Sequence, residues 1–166
     1  MRFSKTELKV LEQVALGKNQ VSDIALALKK DKSQIYRLIK SLEKKNFLIL
    51  KNKTIIPSDK IHVQLLLQQL SIQSSFIEDI SGCGTELYNY ILDTPRTIEE
   101  IITNTGIKPS TFFLKLKTGR RRSLIRTKDK TYVFNKKLYP RIYEFFTELN
   151  KYEESFDKRI HKDILQ

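Results

Sequence analysis

The chain has no tryptophan, one cysteine, one methionine, five glycines and four prolines in 166 residues. A lone cysteine, Cys83, excludes an internal disulfide. His62 and His161 stand too far apart in sequence to give a metal-ligand spacing, so neither a metal nor another cofactor is expected. Five glycines leave little flexible loop from which to build an active site. A phosphate loop ending in Gly-Lys-Ser/Thr, a His-Glu-x-x-His pair, a Cys-x-x-Cys pair and a Gly-x-Ser-x-Gly elbow are all missing. Glu99 and Glu100 are successive helix positions that point in different directions, which is no catalytic dyad. The expectation is a protein that is not an enzyme. No stretch approaches the roughly 20 consecutive apolar residues of a membrane span, and Met1-Arg2-Phe3-Ser4-Lys5 lacks the apolar core of a secretory signal. No membrane partner is expected, and the cytoplasm is the expected location.

Acidic residues are also scarce: 19 against 31 Lys and Arg, a net charge of +12. Such a balance points to a polyanionic partner, and its distribution narrows the choice. Residues 1–58 carry +8, 59–84 carry −2, 85–137 carry +7 and 138–166 carry −1. Two basic blocks, each followed by a near-neutral segment, suggest a duplicated unit rather than one basic tail.

Sequence self-similarity supports the duplication. Thr6-Glu7-Leu8 recurs as Thr85-Glu86-Leu87, each opening a helical pattern: Leu8, Leu11, Ala15 and Leu16 in the first, Leu87, Tyr90 and Ile91 in the second. Ser4 with Glu7 and Thr97 with Glu100 read as capping boxes. A short amphipathic segment follows in each copy, around Asp23-Ile24-Ala25-Leu26 and around Glu99-Glu100-Ile101-Ile102. The polar turns Lys29-Lys30-Asp31-Lys32 and Thr105-Gly106-Ile107-Lys108 come next. Ser33-Gln34-Ile35-Tyr36-Arg37-Leu38 then aligns with Ser110-Thr111-Phe112-Phe113-Leu114-Lys115, and the alignment slips by one residue before Leu124. Both copies close on a β-prone pair with a basic tip, Phe47–Leu50 with Thr54–Ile56 and Leu124–Thr127 with Thr131–Phe134.

Helix, helix, tight turn, helix and hairpin is the order of a winged helix-turn-helix. The stretch from Val21 to Ile49, with Asp-Ile-Ala at its start, Ser-x-Ile-Tyr-Arg-Leu in its middle and Leu-Glu-Lys-Lys-Asn-Phe-Leu-Ile at its end, resembles bacterial and archaeal winged-helix transcription regulators of the MarR and ArsR kind. The resemblance covers about 30 residues of the first copy and implies a winged helix-turn-helix there; with the repeat and the order of elements, the expected fold is mainly α with small β-hairpins (α+β), two such domains in tandem, a helical linker and a C-terminal helix. The domains are expected at 1–58 and 85–137, with a linker helix and hinge at 59–84 and a C-terminal helix at 138–166.

In a helix-turn-helix the N-terminal half of the second helix enters the major groove of double-stranded DNA, where base edges display a distinct donor and acceptor pattern. Ser33, Gln34, Tyr36 and Arg37 occupy that half. Gln34 suits an adenine edge, Arg37 a guanine or a phosphate, and Ser33 and Tyr36 phosphate oxygens. Lys32, Lys40 and Lys44 are expected along the backbone, with Lys51 and Lys53 on the wing. In the second copy the groove candidates are Ser110, Thr111, Lys115 and Lys117. Arg120, Arg121 and Arg122 form the densest positive run and suit a phosphate clamp, and Arg126, Lys128 and Lys130 sit on the second wing. Phe112, Phe113 and Leu114 read as core, with one of the three partly exposed.

Ile61, Val63, Leu65, Leu66, Leu67 and Leu70 predict a helix that is apolar around most of its circumference, hence buried from more than one side. Ser74-Ser75 and Ser81-Gly82-Cys83-Gly84 read as a hinge, with Gly84 just past a helix. Leu138, Ile142, Phe145, Leu149, Tyr152 and Phe156 follow a coiled-coil spacing with Pro140 in the first helical turn. A homodimer through this seam is expected, as is common for winged-helix regulators; the alternative is a helix folded back on its own domain. The expected function is sequence-specific DNA binding for transcriptional regulation, with repression by occlusion as the simplest mechanism. A replication or basal-transcription protein built on tandem winged helices, a winged-helix scaffold that binds protein, and an RNA-binding protein are the rival readings. No residue marks a small-molecule effector site.

Overall fold

The backbone of residues 1–164 and the side chains of residues 1–155 are described by a computed structural model of the chain. The fold is mixed and mostly helical, with two small antiparallel hairpins. The chain divides into two compact units, Phe3–Gly82 and Met1–Arg2 with Cys83–Gln166. No helix among the described residues is long and apolar enough to cross a membrane.

In the N-terminal unit, α1 (Lys5–Ala15), α2 (Val21–Leu28) and α3 (Lys32–Lys44) precede the hairpin of β1 (Leu48–Lys51) and β2 (Thr54–Pro57), followed by α4 (Ile61–Ile72) and α5 (Phe76–Ile80). The Ser4 hydroxyl accepts from the Glu7 N–H while the Glu7 carboxylate accepts from the Ser4 N–H, so two otherwise orphaned donors at the head of α1 are satisfied. Leu8 and Leu11 of α1, Ile24 of α2, and Ile35, Ile39 and Leu42 of α3 point inward and are fully buried. Phe47 seals this core, edge-on to Phe3 at 4.9 Å and to His62 at 5.3 Å.

The segment read as linker and hinge folds onto this unit. α4 and α5 both pack on α1. Val63, Leu66, Leu67 and Leu70 are buried, but Ile61 is 61% exposed, so the buried stripe is narrower than the apolar composition suggested. The serines at 74 and 75 mark only a turn before α5, whose Phe76, Ile77 and Ile80 are buried. Phe3 bridges to Ser81 and Gly82, and the Gly82 N–H donates to the Phe3 carbonyl at 2.7 Å. The unit boundary falls between Gly82 and Cys83, and Gly84 opens the next helix rather than following one.

The C-terminal unit has α6 (Gly84–Tyr90), α7 (Ile98–Thr105), α8 (Pro109–Arg121), the hairpin of β3 (Ile125–Lys128) and β4 (Thr131–Phe134), and α9 (Pro140–Ile164). The bounds of α7, α8, β3 and β4 each lie 77 positions after those of α2, α3, β1 and β2. Hairpin pairing repeats at the same offset, Leu48 opposite Pro57 and Ile125 opposite Phe134. Left-handed backbone does so too: Lys29 with Gly106, Asn46 with Ser123, Asn52 with Asp129 and Lys53 with Lys130. There is no slip before Leu124. The match of Thr6-Glu7-Leu8 with Thr85-Glu86-Leu87 is out of register by two, because burial follows the offset of 77. Leu8, Val10, Leu11 and Val14 correspond to Thr85, Leu87, Tyr88 and Ile91, all buried. Tyr88, not Tyr90, therefore faces the core. Leu16 caps α1 and is 57% exposed instead of continuing its apolar face.

α9 packs against α6. Phe146 contacts the rings of Tyr88 and Phe134 at 5.6 and 5.9 Å. Of the expected dimer seam, Ile142, Phe145 and Leu149 are at most 3% exposed within the single chain, Leu138 is 63% exposed and Tyr152 is half-buried. Phe156 lies outside the described side chains. Ile142, Phe145, Phe146 and Leu149 follow the i, i+3, i+4, i+7 spacing of a helix laid on a globular core, wider than a coiled-coil seam. Three seam residues already covered within the chain cannot at the same time face a second copy.

Candidate nucleic-acid interface

Local sequence fixes how α3 is presented. Lys29 closes α2 in the left-handed conformation, and the Lys30 N–H returns to the Ala25 carbonyl at 3.0 Å, which turns the chain sharply into α3. Gly106 does the same after α7, where a left-handed residue meets no Cβ penalty. With Ile35, Ile39 and Leu42 anchored in the core, Ser33, Gln34, Tyr36 and Arg37 face solvent.

These residues divide between two depressions. Lys32, Ser33, Tyr36, Arg37 and Lys40 line one wall of an open groove of about 950 Å³; Gln20, Val21 and Ser22 line its end, and Leu50 and Lys53 of the hairpin its other wall. Gln34 lies around the helix with Arg37, Leu38, Lys30, Ser4 and Thr6, lining a smaller hollow of about 340 Å³. Arg37 lines both. Lys44 and Lys51 are exposed and line neither.

Gln20, Val21, Ser22, Leu50 and Glu43 were not among the expected site residues. The Gln20 segment is brought in by a bridge to Thr54 and by the bond from the Ile55 N–H to the Asn19 carbonyl at 2.8 Å. Its equivalent in the other unit is the pair of bonds between Arg96 and Tyr132, at 2.9 and 2.8 Å. Glu43 locks the hairpin to α3 by accepting from the Leu50 N–H at 3.1 Å and from Lys40 Nζ at 2.7 Å. The bond from Lys40 holds the Glu43 carboxyl below its usual range, and the same bond raises the Lys40 ammonium. Lys40, which also lies over the Tyr36 ring at 5.6 Å, is thus already partnered by an anion, unlike a lysine waiting for phosphate.

In the C-terminal unit Phe112, Leu116 and Gly119 face inward, Ser110, Phe113, Leu114, Lys117, Arg120 and Arg121 are exposed, and Thr111 and Lys115 are half-buried. Two of the three consecutive apolar residues are therefore on the surface: Phe113 is 53% and Leu114 65% exposed. They stand where Tyr36 and Arg37 stand in the other unit.

Arg120, Arg121 and Arg122 do not form one clamp, because successive helical residues diverge by about 100°. Arg120 Nε donates to Thr127 Oγ1 at 3.1 Å and its guanidinium lies 5.0 Å from the Tyr132 ring, so it binds the hairpin. Arg121 is exposed, and Arg122 is the half-buried cap whose carbonyl accepts from the Tyr139 hydroxyl. Arg126, Lys128 and Lys130 are exposed along the hairpin.

Compared with known proteins, the chain matches no family model, no curated protein and no solved structure.

Proposed function

We propose that this chain is a sequence-specific double-stranded DNA-binding regulator of transcription, built of two tandem winged helix-turn-helix domains and repressing by occlusion. The observation that carries the reading is the solvent-facing row Ser33, Gln34, Tyr36 and Arg37 at the head of α3, beside a hairpin whose Lys51 and Lys53 are exposed. A helix fits the major groove, polar side chains in its first turns meet base edges, and flanking cations meet phosphates. The net charge of +12 supports a polyanionic ligand. In this reading the protein works in the cytoplasm without catalytic group or cofactor. A homodimer on a palindromic site has to form through surfaces other than Ile142, Phe145 and Leu149.

The test is fluorescence anisotropy of the full chain against random duplex DNA, single-stranded DNA and duplex RNA over a series of salt concentrations. The expected result is a preference for duplex DNA, with a log–log salt slope of about −0.9 per neutralised phosphate. Equal and weak binding to all three near physiological salt overturns the reading.

A further inference from the structure

The exposed face of α8 is an unbroken row, Ser110, Phe113, Leu114, Lys117 and Arg121, spaced so that all lie on one side of the helix. At its centre are two large apolar side chains that stay more than half exposed, since Phe112 and Leu116 fill the inner face; Phe113 meets the core only through the edge of the Phe112 ring, at 5.5 Å. We propose that Phe113 and Leu114 make the C-terminal unit a reader of thymine C5-methyl groups in duplex DNA. The inference rests on the DNA-binding reading of the preceding section.

Three observations lead to it. First, the pair lies 77 positions after Tyr36 and Arg37, the residues that line the groove of the other unit. The same place in the fold holds two hydrogen-bonding side chains in one copy and two without hydrogen-bonding capacity in the other. Second, the rim is retained while the centre changes. Lys128 and Lys130 correspond to Lys51 and Lys53, and Lys117 and Arg126 are further exposed cations. One class of polyanion read by different local chemistry fits that pattern better than an unrelated partner. Third, the major groove offers one apolar group to such a pair, the thymine methyl. Duplex RNA lacks that methyl, and its deep, narrow major groove excludes side chains.

The experiment compares binding of the full chain to an alternating A·T duplex and to the same duplex with deoxyuridine replacing every thymidine. That exchange removes the methyl and leaves the hydrogen-bonding groups in place. The expected preference for the thymine duplex is about four-fold per methyl contacted, equivalent to the ~0.8 kcal/mol of burying one such group. Phe113→Ser with Leu114→Ser brings the ratio to about one. Leu114→Arg, which installs the residue found at the matching place in α3, holds or raises duplex affinity while lowering the ratio, an outcome that misfolding does not produce. Tight binding of both duplexes by the unaltered chain with a ratio near one overturns the thymine proposal and leaves the DNA reading standing. So does a preference that survives the double substitution. Loss of the preference in the double variant is expected to come from weaker binding of the thymine duplex, with affinity for the deoxyuridine duplex held. Absence of binding to either duplex at low salt overturns both readings.

Discussion

Tyr88 and Gly119 share a space that two leucines fill in the other repeat. The Tyr88 hydroxyl lies 3.0 Å from where a Cβ on Gly119 would stand, and Ile125 Cδ1 lies 2.7 Å from the same point. At the positions 77 earlier are Leu11, Leu42 and Leu48, all buried. The larger side chain at one position goes with the absent side chain at the other. Glycine inside a helix ordinarily costs about 0.5–1 kcal/mol against alanine, yet here Gly119→Ala is expected to destabilise by roughly 1–3 kcal/mol through overpacking. Urea denaturation reads the sign. Tyr88→Leu, Gly119→Leu and Ile125→Leu combined should fall short of the summed single losses, because the three sites are in contact.

Glu7 joins α1 to the end of α3. Its carboxylate accepts from the Ser41 hydroxyl, Lys45 Nζ and the Ser4 N–H, each at 2.7 Å. Burial pushes this carboxyl up, but the bonds from Lys45, Ser4 and Ser41 outweigh it and hold it below its ordinary 4.5. A depressed carboxylate stabilises fully above its unfolded value, and the contribution is lost as pH falls through the folded one. Stability measured from pH 7 downward should therefore decline below about 4.5. Glu7→Gln is expected to lose roughly 1–3 kcal/mol at neutral pH and to show a shallower acid slope.

Arg37→Ala, in an exposed position between two depressions, should leave the melting temperature unchanged. It should weaken duplex binding by roughly 1–3 kcal/mol and relax preference at one base pair if the guanidinium reads a base. Anisotropy on a selected site and its single-base variants checks both effects.

Lys53 is the second central residue of a two-residue turn, at φ 66° after Asn52 at φ 49°. Such a turn favours Asn-Gly. Lys53→Gly is expected to stabilise the fold by roughly 0.5–1 kcal/mol and to weaken duplex binding, since the charge lining the groove is removed. Parallel movement of stability and affinity would show that Lys53 does not meet the ligand.

Arg120 and Arg121 should behave as opposites. Arg120→Ala removes a guanidinium from the Tyr132 face and is expected to lower stability by about 0.5–1 kcal/mol. Arg121→Ala should leave stability alone and make the salt slope shallower by about one phosphate's worth, 0.9. An unchanged slope in Arg121→Ala would place that residue away from the DNA.

Features set by near neighbours in the sequence were legible. Ser4 with Glu7 and Thr97 with Glu100 form the expected reciprocal caps, because a cap needs only residues three apart. Both hairpins were also readable from two β-prone runs around a basic three-residue tip, although each first strand runs one residue later than expected and leaves a two-residue turn. The true register of the repeat was not, because a shared Thr-Glu-Leu outweighed burial, and only packing shows that Tyr88 takes the place of Leu11.

Long-range partners were hidden for a related reason. The periodicity of Ile142, Phe145 and Leu149 was read correctly, but nothing along α9 says what covers them; Phe146, which widens the stripe, was the available sign. α5 was obscured by the serines before it. At the candidate interface, the exposed positions of α3 followed from its buried ones. Glu43 and the Gln20 segment were missed because each acts through the hairpin, a contact that sequence spacing does not encode.

The bridge between Phe3 and the Ser81-Gly82 pair has a topological consequence. The N-terminal unit starts and finishes at one hydrogen-bonded point, so Arg2 and Cys83 are held near each other whatever lies between them. That is why Met1 and Arg2 group with the later residues, where Arg2 Nε meets both Glu86 carboxylate oxygens at 2.7 Å. A segment closed in this way behaves as an insertion. Its two ends are close enough for a short join to link them, the geometry that circular permutation requires.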